Sequence, residues 1–160
     1  MNRMQGGLVA GVLLLVAAAL QQSVAQSISI GPSSPDFFLV VLGALSPFLN
    51  RVGAATVGLV AGIVHGALIG ASLAHYVVSR VIAGFALGWS NDLRLAPNVA
   101  VVMVSTVAGT VLAQLVHLFL APPKDILGYL TATIVSAVYN GVLVIPLYAL
   151  LNRVLDRRIR

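Results

Sequence analysis

A chain of 160 residues that is 59% hydrophobic and 8% charged, with a mean hydropathy of +1.04, is far more apolar than a soluble domain, which is about half apolar and a quarter charged. A spanning helix uses about 20 apolar residues, so this length predicts an all-α integral membrane protein of about six spans, a single polytopic domain over residues 1–160 with no separate soluble part. The net charge of +5 does not describe a nucleic-acid binder, because eight of the nine Lys and Arg residues sit at the ends of apolar runs, and the absence of Cys removes disulfides, thiolate metal sites and cysteine nucleophiles together.

The first apolar run covers residues 6–24. Arg3 before it and Ala25 at its end imitate the basic, apolar and small-residue regions of a secretory signal peptide. Every later segment also belongs in a membrane, so the run reads as an uncleaved first span. A polar linker over 26–34 leads to Pro35, which a first helical turn tolerates. The second run, 36–50, carries Pro47 near its far end, where the missing backbone donor breaks or kinks a helix; this span is expected to be short. Runs over 52–69 and 71–89 are separated by little more than Gly70 and Ser72 and predict a tight helical hairpin. Asn91, Asp92, Arg94 and Pro97 form a polar connection to a fifth run, 98–120, which Pro122 and Pro123 end. The sixth run, 126–151, holds Pro146 and finishes in Asn152, Arg153, Asp156, Arg157, Arg158 and Arg160.

In this arrangement Arg3, Arg51, Arg94, Arg153, Arg157, Arg158 and Arg160 fall on one side of the membrane and only Lys124 on the other. Cytoplasmic loops carry the excess of Lys and Arg, which predicts both termini in the cytoplasm. The remaining basic residue, Arg80, lies inside the fourth run, roughly 13 Å from the end near Trp89 at about 1.5 Å per residue. That is close to the middle of an apolar slab about 30 Å thick, where a charge is costly and faces a cavity or a partner. Asp36, Asp92, Asp125 and Asp156 all fall at predicted span ends, so none is expected to neutralise Arg80. The expected partners are helix carbonyls, Tyr hydroxyls, Gln114, Asn140 or an acidic group of another chain.

Gly58, Gly62, Gly66 and Gly70 recur every four residues, and Tyr76, Arg80, Gly84 and Gly88 continue the same step in the fourth run. Such spacing puts each set on nearly one helical face, and small faces let helices approach closely in lipid. The face has two uses, packing within the monomer or docking a partner's helix. Gly7 and Gly11 form a similar pair in the first run. Thr106, Thr110, Gln114 and His117 mark a polar stripe on the fifth span, and Thr133, Ser136 and Asn140, with Tyr139 beside them, a shorter one on the sixth. Gln114, His117, Tyr139 and Asn140 are the candidate intramembrane polar contacts. His65, His75 and His117 match no compact metal spacing. Asp36 and Asp125 share the predicted outer face, but the motifs of membrane aspartyl peptidases are missing around them. No phosphate loop or nucleophile elbow occurs either, so no enzyme, cofactor or metal site is expected.

The segment GLVAGIVHGALIGASLAHYVVSRVIAGFALG, residues 58–88, resembles the heart of the rod shape-determining protein MreD family. Gly58, Gly62, Gly70, Leu73, Tyr76, Gly84 and Gly88 fall in register with that family's glycines, Leu and Tyr. A second patch, Tyr139, Asn140, Pro146, Leu147 and Tyr148 ahead of a basic tail, is similar to its closing helix. Gly66 stands where many members have an Asp, and Ala74 replaces a usual glycine. The resemblance implies a noncatalytic scaffold of the bacterial cell-elongation complex in the cytoplasmic membrane. Its partners would be MreC and, through it, MreB, RodA and its transpeptidase, and Gly58, Gly62, Gly66, Gly70, Tyr76, Arg80, Gly84 and Gly88 would be the partner-packing surface. The resemblance extends in fold to the six-helix substrate-binding subunits of energy-coupling-factor vitamin transporters. A small-solute carrier with a pocket on the outer face is therefore the alternative, with Tyr129 and the residues around Lys124 as its candidates.

Overall fold

The computed structural model describes residues 3–31, 33–70, 72–92 and 98–156, with side chains for 6–31, 33–70, 72–89 and 98–154. The described residues form six α-helices, α1 (Arg3–Ser23), α2 (Phe37–Leu45), α3 (Arg51–Ile69), α4 (Leu73–Asp92), α5 (Val99–Leu120) and α6 (Ile126–Asp156), with a 3-10 turn (Ser46–Phe48) after α2. Helices α1, α3, α5 and α6 are long and apolar enough to cross a membrane, whereas α2 with its 3-10 turn and the apolar part of α4 are shorter. This is an all-α membrane protein.

Short side chains and backbone chemistry set most helix ends. Asp36 caps α2 by accepting from the backbone N–H of Phe38 and Leu39, at 3.1 and 3.2 Å. Asn50 caps α3 at Gly53 N, 2.8 Å, and Asn98 caps α5 at Val101 N, 2.8 Å. An N-terminal cap satisfies backbone donors that the helix itself leaves free. Pro47 limits α2 as expected, since the helix stops at Leu45 and survives only as the 3-10 turn containing that proline. Gly70 ends α3 in the left-handed conformation, φ 66°, with its N–H bonded to Gly66 O, a conformation that glycine adopts without a Cβ penalty. Helix α4 departs from expectation by running through Asn91 to Asp92, so these two residues prolong a helix rather than form a connection. Arg94, Pro97, Arg157, Arg158 and Arg160 lie outside the described residues. Pro146 sits within α6.

Helix α2 is apolar all round, and every residue from Phe38 to Leu45 is buried. Such a helix belongs at the centre of a bundle. Ala10, Leu14 and Ala17 of α1, Ala61 of α3, Val102 of α5 and Val144, Tyr148 and Leu151 of α6 close around it. The outward side chains are also apolar, among them Leu15, Val104, Leu127 and Ile134, as a lipid-facing surface requires.

The α3–α4 hairpin is held by its glycines. A Cβ on Gly58 would stand 2.2 Å from the carbonyl oxygen of Arg80, and one on Gly84 2.4 Å from that of Ala54. A Cβ on Gly62 would stand 2.6 Å from the α-carbon of Val77 and one on Gly88 2.7 Å from that of Arg51, and Gly66 faces Leu73. Of the two uses open to this face, the structure shows the one within the monomer. The expectation that Gly58, Gly62, Gly66, Gly84 and Gly88 form a partner-packing surface is corrected accordingly, because α3 and α4 cover each other there. Gly70 is exposed at the turn. Gly7 and Gly11 of α1 have nothing within 4 Å of a built Cβ.

Candidate functional site

The linker between α1 and α2 begins on the surface and its end, residues 33–36, turns into the bundle. Gln21 donates to Pro35 O at 3.2 Å and accepts from Phe37 N at 2.9 Å. Ser33 Oγ donates to Ala132 O, Ser136 Oγ to Ser34 O, and the Tyr139 hydroxyl to Ile28 O. These bonds place Ser33, Pro35 and Asp36 in the interior. The carboxylate that begins α2 therefore stands among the helices.

There it meets Arg80, which is 2% exposed. Arg80 Nη2 donates to Asp36 Oδ2 in a buried ion pair and lies 3.0 Å from His65 Nδ1, while Nη1 donates to Ser79 Oγ at 2.9 Å. The guanidinium carbon is 4.7 Å from the centre of the Tyr76 ring. A guanidinium only donates, so His65 Nδ1 is the acceptor and the imidazole carries its proton on Nε2. This corrects the expectation for Arg80. Within the chain it is held by a carboxylate, with His65 and Ser79, and not by Gln114 or Asn140. Asp36 does stand at a helix end, but α2 is short and central, so that end is buried.

Asn140 of α6, fully buried, holds the other side of this joint. Its Oδ1 accepts from Asp36 N at 2.9 Å and its Nδ2 donates to Thr110 Oγ1 at 3.3 Å. Gln114 accepts from the Tyr129 hydroxyl at 2.7 Å. Tyr76 packs between His65 and His117, with ring centres 4.8 and 4.9 Å away, and Phe38 stacks on His65 at 4.7 Å. Gln114, His117 and Asn140 thus gather at this end of the bundle, and Tyr139 anchors the linker that leads to it. Asp125 is exposed and caps α6 at Gly128 N, 2.9 Å, so it has different partners from Asp36. Among the described residues no three His, Asp or Glu side chains could together hold a metal.

A cavity of about 430 Å³ opens beside the ion pair. Asp36, His65 and Arg80 form its buried floor, Tyr76, Gln114, His117 and Tyr129 its wall, and Gln22, Gln26, Leu68 and Ile69 its exposed rim. These residues come from α1, α3, α4, α5 and α6 and from the linker that leads into α2. Sequence reasoning missed His65 and Gln21 as site residues, and Asp36 as the partner of Arg80. The one available signal was Asp36 standing directly before a helix without another polar group. Comparison with protein-family models, curated proteins and solved structures gives no match.

Proposed function

We propose that the chain is a noncatalytic membrane scaffold subunit of the bacterial cell-elongation complex, of the MreD type, supporting peptidoglycan synthesis and cell shape by helix packing with an MreC-like single-span protein. Through that partner it would act with MreB, RodA and its transpeptidase. One observation carries the reading. The two separate stretches that resemble the family meet in one unit, since the glycine contacts of α3 and α4 fix the backbone of Arg80 and Asn140 of the second stretch holds Asp36 against it. The six-helix arrangement is then that of the energy-coupling-factor substrate-binding subunits. Both termini lie in the cytoplasm, and the cavity faces the outside. With the α3–α4 glycines covered, the small-residue positions offered to a partner are Gly7 and Gly11.

Co-expression with an MreC-like protein should give a stable complex in detergent, and a reporter fused after Arg160 should be active in the cytoplasm. Absence of that complex, or a reporter active only outside the cell, overturns the reading. The cavity favours a second reading, the substrate-binding subunit of a small-solute transporter. A copurifying ATPase module would select it.

A further inference from the structure

We infer that the cavity at the Asp36–Arg80 end is a binding site for a small uncharged molecule bearing a carbonyl or amide oxygen. At about 430 Å³ it falls within the range of ligand pockets, about 300–1,000 Å³. Its floor holds a donor without an acceptor: Arg80 Nε is buried and has no hydrogen-bond partner among the described residues. A guanidinium N–H can only donate, and buried polar groups are nearly always paired, so this atom calls for an oxygen. His117 lines the same cavity, and its Nδ1 is likewise buried without a partner among the described residues. Gln114 has its side-chain oxygen engaged by Tyr129 and keeps its amide N–H groups for donation.

Charge selects the class of molecule. The guanidinium is already matched by Asp36, and His65 accepts from it as a neutral ring. Asp36 and Arg80 together carry no net charge, so a carboxylate or a cation bound here would give up its hydration without a counter-ion of its own, which is costly. A neutral carbonyl or amide satisfies the open donors without disturbing the pair. The inference rests on the cavity and holds for a scaffold as for a carrier.

Matched probes test it on the full-length chain in lipid nanodiscs: nicotinamide against nicotinate, uracil against orotate, and isobutyramide against isobutyrate, read by saturation-transfer NMR. The neutral member of at least one pair should receive saturation and bind about tenfold more tightly than its carboxylate, which must bury a charge the site does not balance. His117→Phe, which keeps a ring, and Gln114→Leu should each reduce that signal, and Leu15→Ala, on the outward face of α1, should leave it unchanged. No saturation of any neutral probe, equal signals in the variants, or carboxylates binding as well as amides would overturn the inference. If one variant does not fold, the other decides. Failure here leaves the MreC-like complex untouched, so the two proposals fall separately.

Discussion

The hairpin contact and the ion pair share Arg80 but hold the molecule by opposite means. Along α3 and α4 the backbones touch because side chains are missing, and Gly58 rests against the carbonyl oxygen of Arg80. From the same residue a long charged side chain reaches across to Asp36, 44 positions earlier in the chain. The first contact works by close packing, which in lipid replaces the hydrophobic drive. The second works only when complete, because burying a charge is costly unless it is paired and hydrogen-bonded. Close backbones also decide where the guanidinium stands, so the glycine contact is the foundation on which the polar one is built.

The largest effect is expected from opening the ion pair. Arg80→Leu leaves Asp36 buried and uncompensated, and removing one partner of a buried pair costs about 3–5 kcal/mol. The double variant Asp36→Asn with Arg80→Leu keeps an acceptor for the α2 cap and should recover most of that loss, since removing both charges of a buried pair is often close to neutral. Unfolding titrations in mixed micelles across this mutant cycle measure the coupling. Additive losses would show that the two side chains act independently.

Gly58→Ala probes the other half of the comparison. Its Cβ would meet backbone, which no rotamer change relieves, so a loss of about 1–3 kcal/mol or more follows from overpacking. Gly109→Ala meets only the Leu87 side chain, at 2.9 Å, which can shift, and should cost less. If Gly109→Ala proved the worse variant, the hairpin would be looser than its glycines indicate. Asn140→Leu keeps the volume but removes the acceptor for Asp36 N–H and the donor to Thr110. A loss of about 1–3 kcal/mol is expected for stranding such groups, again by unfolding titration.

The two regions also differ in how far the sequence reveals them. The hairpin is periodic and local: glycines at four-residue steps announce a close contact, and Gly70 announces the turn. Proline punctuation likewise marked the end of α2 at Pro47 and the short reach of that helix. The polar site has no such period. Asp36, His65, Arg80, Gln114 and Asn140 come from five helix segments, and what unites them is the inward turn of the linker ahead of α2, made by scattered bonds from Gln21, Ser33, Ser136 and Tyr139. A carboxylate at a span end looks solvated until the depth of that end is known. Depth is a property of packing, and no local pattern encodes it.

The smallest effect sharpens the comparison by removing packing altogether. Gly11 lies in the interior of α1, exposed, with nothing near a built Cβ. Alanine there should stabilise the chain slightly, by about 0.5–1 kcal/mol, because glycine has the larger backbone entropy to lose in a helix. Gly11→Leu should also fold normally in isolation, whereas Gly58→Leu should not. The two glycine sets then separate in a second measurement, capture of an MreC-like partner. If Gly11→Leu weakens that complex while leaving the unfolding curve of the isolated chain unchanged, close approach at α1 serves association just as close approach at α3 and α4 serves the fold. If capture is unaffected, the partner packs on larger side chains, and the small residues of this protein work only within it.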